Sequence, residues 1–309
     1  MDISIVIPTY NEQDNVIPLY HQIKEVLDRL QKTYEIIYID DGSRDRTFER
    51  LKELHNKDKK VKIIKFRKNF GQTPAMDAGF RHAKGKVIIP MDADMQNDAE
   101  DIPRLLAKLD QGYDVVSGWR KNRKDSLGKH LTSRGANLLR KILIKDKIHD
   151  SGCTMKAYRK ECFEDLNLYG EMHRFIPALL MWKGFRVTEL PVRHHKRKFG
   201  KTKYGLKRTL KGFLDMIVVK FWMQYSTRPV HLFGGLGIIM SIIGFLLGIY
   251  LTVMKIFFGQ NLSNRPLLLL AILLIILGVQ FLIFGILADI QIKNYYEKKK
   301  PYNIKEIIE

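Results

Sequence analysis

The chain has 309 residues and a formal net charge of +20, from 53 Lys and Arg against 33 Asp and Glu. That length holds one domain of ordinary size plus something smaller, and the positive excess favours an anionic partner: lipid headgroups, phosphorylated substrates or nucleic acid. The only cysteines, Cys153 and Cys162, form no C-x-x-C, which argues against a thiol-rich zinc site or a disulfide framework and suggests buried, reduced thiols.

The first residues, Met1 to Pro8, have no basic start and only a brief apolar run, so they read as a strand and not as a signal peptide. Further strand-like runs come after the first, Ile3–Pro8, at Tyr34–Ile39, Val61–Phe66, Val87–Pro90 and Tyr113–Ser117. Helical patterns lie between them, near Asn15–Leu30, Thr47–Asn56, Thr73–Ala83 and Ile102–Gln111. This alternation predicts an α/β fold: a mostly parallel sheet, covered on both faces, with right-handed crossovers. Ligands of such sheets bind beyond the carboxyl ends of the strands, near the point where strand order reverses.

The residues just after each strand are therefore informative. The first strand ends in Pro8-Thr9-Tyr10-Asn11-Glu12, the second in Asp40-Asp41-Gly42-Ser43, and the fourth in Asp92-Ala93-Asp94. Each alone is a plausible turn or helix cap, with Asp14 and Asp45 as helix starters. Together on one sheet edge they form a carboxylate-rich crevice. Two carboxylates one residue apart can converge on a hard divalent cation, Mg²⁺ or Mn²⁺, with substrate phosphates completing its shell. No G-x-G-x-x-G comes after the first strand and there is no G-x-x-x-x-G-K-[ST], so neither glycine-rich phosphate cradle is indicated.

Beyond Gly118 the pattern loosens. Leu127 to Leu143 looks helical and basic, Ser151 to Tyr158 reads as a strand followed by a helix from about Arg159, and Phe185–Val192 as another strand. A very basic stretch runs from Arg193 to Tyr204. Its adjacent His194 and His195 would point apart in an extended loop, so a shared metal ion is not expected there. From Gly205 to Tyr225, apolar residues at helical spacing alternate with Lys207, Arg208, Lys211 and Lys220, the pattern of an amphipathic helix in the headgroup plane.

Two runs, Leu232 to Met254 and Pro266 to Ala288, contain no charged residue. Helices of that length rise roughly 30 Å or more, enough to cross the hydrocarbon layer. The loop between them, Lys255 to Arg265, has two basic residues, whereas the outer flanks carry Lys207, Arg208, Lys211, Lys220 and Arg228, then Lys293 and Lys298 to Lys300. The positive-inside rule places the N-terminal domain and the C-terminal tail in the cytoplasm. The predicted division is a catalytic domain at 1–204, a juxtamembrane amphipathic helix at 205–229, a transmembrane hairpin at 230–290 and a cytosolic tail at 291–309.

Six segments together, IVIPTYNE (Ile5–Glu12), DDGSRDRT (Asp40–Thr47), RKNFGQ (Arg67–Gln72), MDADMQ (Met91–Gln96), SGWR (Ser117–Arg120) and SGCTMKAYRKE (Ser151–Glu161), give a strong resemblance. The chain resembles the inverting glycosyltransferases of family 2, and within them the polyprenyl-phosphate glycosyltransferases, a group that includes dolichol-phosphate mannose synthases and bacterial undecaprenyl-phosphate sugar transferases. The likeness covers about the first 205 residues. It implies a nucleotide-diphospho-sugar transferase (GT-A, Rossmann-like) domain followed by the two-helix hairpin. It also implies residue roles. Pro8, Tyr10, Glu12, Ile39 and Asp41 would hold the base and ribose of a UDP- or GDP-linked sugar, with Ala93, Arg174 and Thr202 also on the donor. Asp92, Asp94 and Gln96 would gather Mg²⁺ or Mn²⁺. Arg120 would lie between donor and acceptor phosphates, and Lys129 and Ser133 would bind the phosphate of a polyprenyl phosphate. Arg197, Thr202 and Lys203 would close over the diphosphate. The chain lacks the Q-x-x-R-W motif, which argues against the processive branch of the family.

The chemistry asks for a stabilised diphosphate leaving group and an in-line nucleophile. A phosphate monoester has a second pKa of about 6 and is largely dianionic at neutral pH, so it needs positioning more than deprotonation. The alternative is that Asp94 or a neighbouring carboxylate acts as general base. Two other classes compete: a transferase of the same fold with a non-lipid acceptor, and a membrane-anchored nucleic-acid-binding protein. Against the second, no recognition-helix or stacking-aromatic module is visible, and the basic residues crowd the membrane flank. The sugar, the nucleotide and any homo-oligomer stay open.

Overall fold

The structure, a computed structural model, describes residues 1–121, 148–164, 166, 168, 170–196, 206–225, 228–262 and 265–298. It divides into two compact units, Met1–Lys220 and Phe221–Glu309.

The first unit is built on a seven-stranded sheet: β1 (Ile3–Thr9), β2 (Tyr34–Asp40), β3 (Val61–Lys65), β4 (Val87–Pro90), β5 (Val115–Trp119), β6 (Lys156–Arg159) and β7 (Val187–Pro191). The order across the sheet is β3-β2-β1-β4-β6-β5-β7. Every residue of β2 is buried, as expected for a central parallel strand with helices on both faces. The helices are α1 (Val16–Arg29), α2 (Thr47–Lys57), α3 (Gln72–His82), α4 (Ile102–Asp110) and α5 (Ile176–Trp182). In α1 the buried residues Val16, Leu19, Tyr20, Ile23, Val26 and Leu27 recur at helical spacing and form one core-facing stripe. Strand order reverses at β1, which has β2 on one side and β4 on the other, both parallel to it.

The sheet departs from the predicted pattern in one place. β6 lies between β4 and β5 and runs antiparallel to both. Its carboxyl-edge neighbours are therefore its own first residues. The strand expected over Ser151 to Tyr158 is confined to Lys156–Arg159, and residues 151–155 are turn and coil. The cause is local: Lys156 Nζ donates to the carbonyls of Ser151 and Cys153, so the chain curls around an ammonium group and leaves the ladder. The helix expected after Arg159 is a short 3₁₀ turn, Lys160–Phe163, whose last side chain stacks on Phe80 at 4.1 Å. The basic helix expected over Leu127 to Leu143 lies outside the described residues.

Helix α6 (Leu206–Tyr225) spans the division between the units. Within the second unit, α7 (Pro229–Phe258) and α8 (Pro266–Lys298) form a hairpin. Pro229–Phe258 and Pro266–Ile292 contain 18-residue stretches with mean hydropathies of 2.4 and 3.1 and are long and apolar enough to cross a membrane. Their outward faces expose Ile239, Phe245, Leu269 and Phe284, while Gly237 and Gly244 bring the two backbones together. A Cβ at Gly244 would stand 2.7 Å from the Ala271 carbonyl oxygen, so only a glycine permits this approach.

Candidate active site

All strands but β6 deliver their carboxyl ends to one edge, and β6 begins there. The loops leaving β1 and β2 are laced together. The Asn11 amide donates to Ser43 Oγ at 2.9 Å, the Arg44 amide to Asn11 Oδ1 at 2.8 Å and the Glu12 amide to Thr47 Oγ1 at 2.8 Å. Asn11 sits at φ 53°, a left-handed conformation that asparagine tolerates. Glu12 Oε2 accepts from Asn15 Nδ2 at 2.6 Å, and Pro8 and Tyr10 are half-buried beside it. Gly42, at φ 70°, passes so close to the Lys68 backbone that a Cβ would meet its carbonyl carbon at 2.5 Å.

Asp41 is almost fully buried and accepts from the amides of Phe70 (2.7 Å) and Gly71 (2.9 Å). Desolvation nonetheless raises its pKa. This carboxylate therefore anchors the loop before α3. The Ile39 side chain is wholly buried, with its Cδ1 against Gly79, which closes it off from the crevice.

The tip of β4 carries the acidic pair. Asp92 is fixed by its amide, which donates to Asn97 Oδ1 at 2.9 Å, and by Gln72 Nε2, which donates to its Oδ1 at 3.1 Å. Its pKa is pushed up to about 6, by desolvation first and then by the negative charge of Asp94; the Thr154 hydroxyl, Arg120 and Lys156 act in the opposite direction. Asp94 is 7% exposed and accepts from the Gln96 amide at 3.1 Å, across a tight turn with Met95 at φ 61°. Ala93 between them is buried. Gln96 donates from Nε2 to the His195 carbonyl at 3.3 Å, which leaves its amide oxygen as an acceptor.

Among the described residues no three His, Cys, Asp or Glu side chains converge on one point. The available donors are two carboxylates and one amide oxygen, a hard oxygen set that suits Mg²⁺ or Mn²⁺ if a ligand supplies the remaining oxygens. Desolvation first and then the charge of Asp94 disfavour the ionised form of Asp92, and a positive ion at the pair would oppose the second of these.

Arg120 lies just past β5 and is gripped by Asp150, from Nε at 2.7 Å and Nη2 at 2.9 Å, with the Arg120 amide adding a third bond at 3.2 Å. Desolvation opposes the charge on Asp150, but the guanidinium holds its carboxyl below the usual carboxylate range. Arg174 ends the turn Met172–Arg174 and pairs with Glu171 at 3.7 Å; next to it, His173 Nδ1 and Thr73 Oγ1 share a 2.6 Å hydrogen bond that ties this turn to α3. Lys129, Ser133, Arg197, Thr202 and Lys203 lie outside the described residues. Cys153 and Cys162 are free and buried, with desolvation pushing the Cys153 thiol up to about 11.

Asn97 and His194 form a β-bridge, and His195 Nε2 contacts Asp98 Oδ2 at 3.0 Å. Two groups here are absent from the sequence reading. Asp150 stands immediately before the Ser151 motif, and its position there was the one available signal. Lys156, 3% exposed, sits inside a run that looked like strand.

Residues 4–166 match the glycosyl transferase family 2 model. Over 316 aligned positions, covering 100% of this chain and 94% of the relative, the chain is 36% identical to dodecaprenyl-phosphate galacturonate synthase of Rhizobium johnstonii. It is also 36% identical to undecaprenyl-phosphate 4-deoxy-4-formamido-L-arabinose transferase of Salmonella choleraesuis, covering 99% of this chain and 93% of that one. The fold is similar to glucosyl-3-phosphoglycerate synthase from Mycobacterium tuberculosis, solved in complex with Mn²⁺, uridine diphosphate and phosphoglyceric acid. That match has a TM-score of 0.54 and 18% identity, and covers 71% of this chain and 78% of the other. The GT-A-like sheet, its acidic carboxyl edge and the full-length relatives agree: this chain belongs to glycosyl transferase family 2.

Proposed function

We propose that the chain transfers a glycosyl group from a nucleotide-diphosphate sugar to a polyprenyl phosphate, with inversion at the anomeric carbon. The observation that carries this reading is the end-to-end match, hairpin included, to relatives named for dodecaprenyl- and undecaprenyl-phosphate products. Those relatives handle sugars of different size, a hexuronic acid and a modified pentose, so the acceptor class is the shared feature and the sugar is not.

In this reading Asp92, Asp94 and Gln96 hold Mg²⁺ or Mn²⁺ against the donor diphosphate. When bound, that ion neutralises charge developing on the leaving phosphate. The β1 and β2 loops, through Pro8, Tyr10, Glu12 and Asp41, cradle base and ribose, with Ala93, Arg174 and Thr202 along the donor. Arg120 bridges donor and acceptor phosphates, Lys129 and Ser133 seat the acceptor, and Arg197 and Lys203 cover the diphosphate. The acceptor phosphate is already dianionic at neutral pH, so these residues orient it and no dedicated base is required. We assign residues 1–204 to catalysis, 205–229 to the headgroup region and 230–290 to the bilayer, with the catalytic domain and tail cytoplasmic.

The test is direct. Purified full-length protein in detergent, given Mn²⁺, a polyprenyl phosphate and a panel of UDP- and GDP-sugars, should release nucleoside diphosphate with one of them. Release that depends equally on a free sugar acceptor would move the protein to the non-lipid class. Tight, salt-sensitive retention of random duplex DNA would support the nucleic-acid reading instead.

A further inference from the structure

The carboxylate that grips Arg120 is itself held in place by a residue the proposed chemistry does not use. Glu189 lies in the middle of β7, opposite Ser117 of β5 in a parallel register. Paired residues of neighbouring strands share a face of the sheet, as do residues two apart. Glu189 is therefore on the side of Trp119, the residue just before Arg120. Its carboxylate meets three groups from two consecutive residues of the loop before β6. Oε1 accepts from the His149 amide at 2.8 Å and the Asp150 amide at 3.3 Å, and Oε2 meets His149 Nδ1 at 2.6 Å.

Those two loop residues then meet two consecutive residues at the end of β5. The His149 ring stacks on Trp119, with centroids 4.6 Å apart and planes 20° from parallel. Asp150 takes the Nε and Nη2 edge of Arg120 and also accepts from the Arg120 amide. A wholly exposed histidine–carboxylate pair would contribute little. Here the Glu189 side chain is only 14% exposed, and two of its three partners are backbone amides. Bonds to consecutive amides fix the path of the chain, so the Asp150 side chain starts from a backbone that Glu189 holds.

We infer that Glu189 is a positioning residue for Arg120: it fixes the loop at His149 and Asp150, and through Asp150 it aims the guanidinium at the acceptor phosphate. The inference rests on the proposed role of Arg120. A guanidinium recognises a phosphate through parallel N–H bonds, so its orientation counts as much as its charge. Charge also makes the sign of a test informative. Glu189 is an anion close to a site for an anion, so by Coulomb attraction alone its neutralisation would tighten acceptor binding. Positioning requires the opposite.

The test measures the Kd of undecaprenyl phosphate for the full chain in detergent by isothermal titration calorimetry. Glu189→Gln should weaken binding about tenfold and His149→Leu about fivefold. His149→Asn, which keeps a donor near the place of Nδ1, should stay within about twofold of wild type. Asp150→Ala should also cost about tenfold, and Glu189→Gln added to it should cost little more, because the relay is already cut. A double variant weakened about a hundredfold, the product of two independent losses, overturns the inference. So does folded Glu189→Gln protein with unchanged or tighter binding. If Glu189→Gln fails to fold, His149→Leu takes its place in the same cycle. Wild-type protein that binds no undecaprenyl phosphate contradicts the proposed function, and the positioning role is then read from a crystal structure of the Glu189→Gln or His149→Leu variant. A displaced Arg120 supports it there, and an Arg120 still paired with Asp150 in its wild-type place overturns it.

Discussion

Two carboxylate sites sit on opposite edges of the same sheet, and they are built differently. At the amino edge, Glu35 accepts from Ser4 Oγ at 2.6 Å, from the Lys84 amide at 2.6 Å and from Lys62 Nζ. Desolvation works against its charge, but these partners outweigh it and hold the carboxyl below its ordinary range. At the carboxyl edge, desolvation first and then the charge of Asp94 push the Asp92 pKa up to about 6. A carboxylate whose partners are all supplied by the fold is a structural element. A like-charged pair held together by the fold is the kind of site that a cation would complete, as the proposed function requires.

The contrast is broken most severely by removing the acidic pair. Asp94→Ala should cut turnover by about 10²–10³-fold or more, as expected for losing a main electrostatic support of the leaving group. Its melting temperature should hold or rise, because a like-charge repulsion has gone. Near-normal turnover in this variant would dismiss the metal assignment. Glu35→Gln should give the opposite pattern. Stability should fall by about 1–3 kcal/mol as buried donors lose their acceptor, read as a lower melting temperature, while kcat/KM per folded molecule stays unchanged.

Acidity sharpens the comparison further. The Asp92 proton is held more tightly than in an unfolded chain, so protons compete with a metal as pH falls through about 6. Thermal stabilisation by Mn²⁺ plus nucleotide should therefore be larger at pH 7.5 than at pH 5.5. An equal shift at both values would mean that Asp92 is not a ligand. The smallest effect is expected at His195, whose half-exposed ring meets Asp98 at the margin of the crevice. His195→Ala should lower turnover by less than about fivefold, the scale of an exposed ion pair.

Much of this site was legible from the chain because its signals are local. Apolar runs that end in Asp40-Asp41 or Asp92-Ala93-Asp94 announce both the strand and the group at its tip. The order of strands was not legible, and neither was the reversal of β6, since antiparallel insertion between β4 and β5 depends on partners far away in sequence. The same reversal hid Lys156, which alternates plausibly with its neighbours until its ammonium is seen to fold the preceding residues back. Asp41 was readable as a polar tip, but its two amide donors, Phe70 and Gly71, come from a different loop.

The most direct test is a crystal of the full chain soaked with Mn²⁺ and a nucleoside diphosphate, with data collected at the manganese absorption edge. The account predicts one anomalous peak at about 2.0–2.3 Å from carboxylate oxygens of the β4 tip, in contact with the diphosphate. A peak elsewhere, or a bound nucleotide with no metal beside Asp94, would contradict it.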